Sequence, residues 1–186
     1  MSVRDFIEGN YRHFNAGALA QCVESLRGFL NNDGRLMVTL AGAMSTAEIG
    51  RSLAPAIRAQ RVHAICCTGA NLEEDLFNLV ARSSYEKIAD WRELTASDEV
   101  ALRERGMNRV TDVAIPEEDA IRAIEKPLMS LWEDAEAADD RRFPHEYLYD
   151  LLLHGELEFD AAPESSWLVA AADANLPIFT PGWEDS

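Results

Sequence analysis

Three segments gather the residue types that bind cofactors or charged substrates: Ala41–Thr46, Cys67–Asp75 and Pro181–Ser186. In the first, Gly42 permits close backbone approach. Ser45 and Thr46 place hydroxyls at the start of a helical pattern, where free N–H groups and the helix dipole can hold phosphate. The same residues suit a capped helix behind a tight turn, and the segment is not a GxGxxG fingerprint. In the second, Thr68, Gly69 and Ala70 form another small-residue turn, followed by Glu73, Glu74 and Asp75. Three adjacent acids, expected in the first turn of a helix, repel one another, and a bound ammonium relieves that repulsion. Stabilisation by the helix dipole is the competing explanation. The third segment ends in Glu184 and Asp185, carboxylates suited to ribose hydroxyls or a cation, or to a free tail.

These segments meet only if they lie beyond the carboxyl ends of parallel strands, where open α/β sheets bind ligands. The hydrophobic pattern supplies such strands. Arg35–Ala41, Val62–Cys67 and Pro177–Pro181 read as buried strands. Helical periodicity follows the first two, over Met44–Gln60 and Leu72–Arg82. Ser45 or Thr46 is the expected cap of the former, and Pro55 is expected to kink or divide it. Strand, Gly-bearing loop and helix, repeated, predict a parallel sheet. The expected fold is thus α/β, a Rossmann-like parallel sheet with flanking helices. Residues 1–35 form a helical lead-in, with Leu19, Cys22, Val23, Leu26, Phe29 and Leu30 on one face. Residues 36–186 form the α/β core, with a helical insertion at about 83–165. Within it, Arg109–Ile115 reads as a strand at the sheet edge. Glu117–Ala138, Pro144–Leu153 and the stretch from Ser165 to about Asn175 read as helices.

Composition narrows the ligands. The chain of 186 residues carries 33 Asp and Glu against 17 Lys and Arg, a formal net charge of −16. That disfavours a nucleic-acid backbone and an anionic membrane surface, and favours a cationic ligand or plain solubility. The stretch 133–186 holds 14 acids and two arginines. The only lysines are Lys87 and Lys126. Three cysteines, Cys22, Cys66 and Cys67, make no disulfide framework, and no metal-ligand spacing occurs. There is no signal-peptide pattern and no apolar run of membrane-spanning length. A cytoplasmic, reduced protein without a metal is expected. His63 reads as a core residue and His145 as a helix-capping one.

The segments TLAGAMSTAEIG, HAICCTGANLEEDLFNLV, MNRVTDVAIPEEDAIRAIEK, FPHEYLYDLLLHGEL and LPIFTPGWEDS occur in this order and cover nearly the whole chain. Together they resemble the deoxyhypusine synthase family, and most of all its bacterial deoxyhypusine-synthase-like branch. The resemblance implies a Rossmann-like homotetramer, a transferase that uses NAD and spermidine. NAD oxidises the polyamine, an aminobutyl group passes to an enzyme lysine and then to an acceptor amine, and the hydride returns. In hypusine formation the acceptor is a protein lysine; relatives use putrescine and make homospermidine. By resemblance, Gly42, Ala43, Met44, Ser45, Thr46, Thr68, Gly69, Ala70, Glu74 and Asp185 bind the cofactor. Glu73 and Glu74 bind the polyamine.

Two departures stand out. Thr68-Gly69-Ala70-Asn71 replaces the Thr-Ala-Gly-Gly of eukaryotic members. Neither Lys87 nor Lys126 matches the catalytic lysine, which the resemblance places beyond Ser186. The chain is therefore expected to be the N-terminal part of such an enzyme, truncated before the C-terminal strands and inactive alone. A non-catalytic polyamine-binding or oligomerisation module, and a homospermidine-forming enzyme, are the alternatives.

Overall fold

A computed structural model describes residues 2–155 and 157–183. The Asp185 and Glu184 positions lie outside the described residues. The chain divides into two compact units, Met1–Leu36 and Met37–Ser186.

The first unit holds α1 (Val3–Asn10) and α2 (Phe14–Asn31). A reciprocal cap starts α1: the Ser2 hydroxyl accepts the Asp5 N–H at 3.1 Å, and the Asp5 carboxylate accepts the Ser2 N–H at 2.9 Å. In α2 only Gly17 is buried. Its apolar stripe is exposed instead, with Leu19, Val23, Leu26 and Phe29 each more than two-fifths open to solvent.

The second unit is built on a parallel sheet of β1 (Met37–Leu40), β2 (Ala64–Cys67) and β6 (Ile178–Phe179), in the order β1-β2-β6. Met37 stands opposite Ala64, and Ile65 opposite Ile178. Between β1 and β2 runs α3 (Gly50–Arg58), and after β2 comes α4 (Gly69–Ala81). This is the expected α/β arrangement. Only the central strand is deeply buried, however. β1 lies at the sheet edge and alternates exposed with half-buried positions, contrary to a strand buried throughout.

The region after α4 departs from an edge strand at 109–115. Those residues fall in two strands, β4 (Met107–Val110) and β5 (Val113–Pro116), joined by a turn at Thr111–Asp112. With β3 (Glu86–Lys87) they form a separate antiparallel sheet in the order β3-β5-β4. Thr111 takes the turn at φ 54°, so no glycine marked it. α5 (Ala96–Glu104) precedes the hairpin. A wide π-helical turn, Glu117–Arg122, follows it and leads into α6 (Ala123–Ala137). Ala81, Ile115 and Ala120 close a small core here with Phe77, Val80 and Tyr85.

Two further helices, α7 (Pro144–His154) and α8 (Trp167–Asp173), complete the main core. α8 is the centre of that core: Trp167, Leu168, Ala170 and Ala171 are fully enclosed. α3 packs against it so closely that a Cβ at Gly50 would stand 2.1 Å from the Ser165 carbonyl oxygen. Among the described residues no helix is long and apolar enough to cross a membrane.

The first loop differs from a capped helix. Residues 44–49 form turns, and α3 begins only at Gly50 with no side-chain cap. The Ser45 hydroxyl is engaged elsewhere, and among the described residues Thr46 bonds only through its N–H, to Glu74. Pro55 sits inside a continuous α3 and does not divide it.

Candidate functional site

Because β1, β2 and β6 are parallel, their carboxyl ends lie on one edge of the sheet and deliver Ala41, Thr68 and Thr180 there. The first two loops are tied together by one buried side chain. Asn71, on the first turn of α4, donates through Nδ2 to the Gly42 carbonyl at 2.8 Å and to the Thr68 hydroxyl at 2.7 Å. Its Oδ1 accepts the Ser45 N–H at 3.2 Å, and its main-chain oxygen accepts the Ser45 hydroxyl at 2.6 Å. The Trp167 indole N–H donates to the same Ser45 oxygen at 2.9 Å, and Asn78 Nδ2 donates to the Ser45 carbonyl at 2.6 Å. Ser45 is thus wholly inside, its hydroxyl committed to structure.

The outer part of the loop is left open. Gly42 turns the chain at φ 63°. Among the described residues, the amide N–H groups of Ala43 and Met44 have no hydrogen-bond partner. Two unclaimed N–H donors beside exposed Gly42 suit an anionic oxygen such as a phosphate. Of the sequence-predicted cofactor residues, Gly42, Ala43, Met44, Thr68 and Ala70 retain accessible surface. Ser45, Thr46 and Gly69 are buried.

The acidic run does not lie in the first turn of α4. The helix starts at Gly69 behind Thr68, so Glu73, Glu74 and Asp75 fall in its second turn, past the N–H groups that would favour acids. Nor do they act as one cluster. Glu74 turns to the first loop, where Oε2 accepts the Thr46 N–H at 3.2 Å. Asp75 turns to the opposite side and accepts the Ser166 hydroxyl at 2.5 Å and the Leu168 N–H at 3.0 Å, capping α8. Glu73 is half-buried and has no hydrogen-bond or ion-pair partner among the described residues.

Burial raises the pKa of all three. For Glu73 desolvation is the cause. For Glu74 desolvation also leads; the neighbouring Thr46, whose N–H it accepts, works against it, and the charge of Glu73 adds to it. Asp75 is raised to about 6 by near-complete burial, opposed by its bonds to α8. Such carboxylates gain from a positive partner, and neither Glu73 nor Glu74 has an ion-pair partner among the described residues.

Burial, with the neighbouring Cys66, pushes the Cys67 thiol up to about 12. Lys126 is exposed on α6. Lys87, on β3, lines a cavity of about 360 Å³ behind the first loop, with Thr46, Arg82, Tyr85 and Asp112. His63 is half-buried just before β2. His145 is buried in the first turn of α7, stacked on Phe143 and edge-on to Tyr149, and burial lowers its pKa. Sequence reasoning missed Asn71, Asp75 and Trp167 as the residues that hold the site. The departure at Asn71 was the visible signal.

A sequence profile of the family described as deoxyhypusine synthase matches residues 9–186. "Probable deoxyhypusine synthase 2" of Methanosarcina mazei is 32% identical over 187 residues, covering 100% of this chain and 51% of that protein. "Probable deoxyhypusine synthase" of Halobacterium salinarum is 28% identical over 173 residues, covering 93% and 48%. "Probable deoxyhypusine synthase 1" of Archaeoglobus fulgidus is 27% identical over 175 residues, covering 93% and 52%. The chain spans about half the length of these curated relatives. All three are archaeal, which lends no support to a bacterial branch.

Proposed function

The chain belongs to the deoxyhypusine synthase family, and from that premise we propose that it provides the cofactor loops and polyamine carboxylates of an NAD-dependent aminobutyl transfer from spermidine to an amine acceptor. The observation that carries this reading is Glu73. A half-buried carboxylate without a partner among the described residues, beside a second raised carboxylate that bonds to the first loop, asks for a cation. A polyamine ammonium meets that need at Glu73 and Glu74 together.

The residues present fit a dinucleotide. The free N–H groups of Ala43 and Met44 would hold phosphate oxygens, Thr68 and Ala70 would line the neighbouring turn, and Glu74 would stand between cofactor and polyamine. Bound NAD would supply a reversible hydride acceptor. Glu73 and Glu74 would bind and orient the polyamine through its ammonium groups, and loss of water around them would strengthen that hold. The nearby Thr46 N–H keeps Glu74 oriented. Lys87 and Lys126 are given no role in the transfer. Asp185 remains part of the proposed cofactor set, and a cytoplasmic homotetramer the proposed setting.

Equilibrium binding tests this function. The chain should bind NAD and spermidine; Glu73→Gln should weaken spermidine alone, and Glu74→Gln should weaken spermidine most and NAD as well. Unchanged spermidine affinity in both variants would reject the carboxylate assignment. Product analysis with NAD and spermidine, on the chain combined with a second chain that carries the transfer lysine and given a protein lysine or putrescine as acceptor, then separates the acceptor classes. Polyamine binding with no aminobutyl product in that combination would favour a non-catalytic module.

A further inference from the structure

We propose that Asn71 is a positioning residue that turns the Gly42–Ala43 peptide so that the Ala43 N–H faces outward as a fixed donor to an anionic ligand oxygen. The inference rests on the cofactor reading above and adds to it the residue that presets the donor.

A trans peptide is planar, and its C=O and N–H point in opposite directions. Asn71 Nδ2 holds the Gly42 carbonyl inward at 2.8 Å, with the Thr68 hydroxyl on the same oxygen at 3.4 Å. The Ala43 N–H of that same peptide must then point away from Asn71, and among the described residues it has no partner. The chain reaches this orientation through Gly42 at φ 63°, a conformation that most residues resist.

Asn71 is suited to this by its chemistry. It is fully enclosed, and it uses both Nδ2 protons and Oδ1 at once, on Gly42, Thr68 and Ser45. Aspartate has the same shape but no protons to donate, and would set a charged oxygen against the Gly42 carbonyl. Glycine would remove the tie altogether. Neither change touches Glu73, which lies on the polyamine side.

The test uses the full 186-residue chain, with ADP as the probe for the dinucleotide phosphates and spermidine as the control ligand. Asn71→Asp and Asn71→Gly should each weaken ADP by tenfold or more and weaken spermidine by a clearly smaller factor. The N–H residual dipolar coupling of Ala43, measured without ligand, should change in both variants while those of the α4 amides do not. Unchanged ADP affinity in a folded variant, or an unchanged Ala43 coupling, overturns the proposal. If the unaltered chain binds no ADP, the cofactor reading fails, and the Ala43 coupling still decides whether Asn71 sets the peptide. If Asn71→Asp does not fold, Asn71→Gly, which buries no charge, carries the same comparison.

Discussion

The two sides of α4 carry the same residue type to opposite ends. Asp75 faces α8 and is consumed by structure, with its carboxylate saturated by Ser166 and Leu168. Glu74 faces the first loop and accepts one bond from Thr46, and its neighbour Glu73 has no hydrogen-bond or ion-pair partner among the described residues. Burial raises the pKa of all three, so a raised pKa alone does not separate scaffold from site. The separation comes from partners. A buried carboxylate matched by donors holds the fold, and one left unmatched awaits a ligand.

Substitutions should break this contrast in order. Asp75→Ala leaves the Ser166 hydroxyl and the Leu168 N–H unpaired in the core, and should cost about 2–4 kcal/mol in a denaturant melt. Asp75→Asn keeps an acceptor there and should cost less than about 1 kcal/mol. Equal losses in the two would mean that the cap matters little. On the other side, Glu74→Gln should weaken spermidine by about ten- to a hundredfold, and Glu73→Gln by about tenfold, with calorimetry as the readout. Neither should lower the melting temperature, because each removes a desolvated charge. A large stability loss in Glu73→Gln would place that residue with the scaffold.

The pH dependence sharpens the contrast further. A carboxyl whose folded pKa is raised stabilises the fold below its unfolded value and loses that contribution as pH rises through the folded one. For Asp75 the loss runs from 3.8 through about 6. Melting temperature should fall over that range, and Asp75→Asn should flatten the fall. Spermidine binding should show the opposite sign, strengthening as pH rises above 4.5, because the ligand needs Glu73 and Glu74 charged. Trp167→Phe tests the scaffold side separately. It loses the hydrogen bond to Ser45 and part of the buried ring volume, for about 2–4 kcal/mol, with little change in either ligand.

Much of the scaffold was legible because it is local. The apolar runs at Met37–Leu40 and Ala64–Cys67 and the periodicity of Leu72, Leu76 and Leu79 give strands and helices without reference to distant residues. Ser166 was likewise readable as the start of α8, where its hydroxyl accepts the Val169 N–H. What sequence reasoning missed depends on distant partners. Ser45 looks like a helix cap until Asn71, 26 residues away, claims it. Asp75 looks like one of three equivalent acids until Ser166, 91 residues away, takes it. The hairpin at 107–116 stayed hidden because Thr111 and Asp112 turn the chain without glycine or proline. In the N-terminal unit the limit is different: the period of Leu19, Val23, Leu26 and Phe29 predicts α2 correctly, but a period does not say what covers the stripe.

The most direct test of the central claim is proton release on spermidine binding. Titration calorimetry at mildly acidic pH, in two buffers of different ionisation enthalpy, counts the protons exchanged. If Glu73 and Glu74 are raised carboxyls that become ion pairs, the chain should release protons as spermidine binds, and the release should fall in Glu73→Gln and again in Glu74→Gln. Binding without proton release, or a release untouched by both substitutions, would contradict the assignment of the polyamine to these two residues.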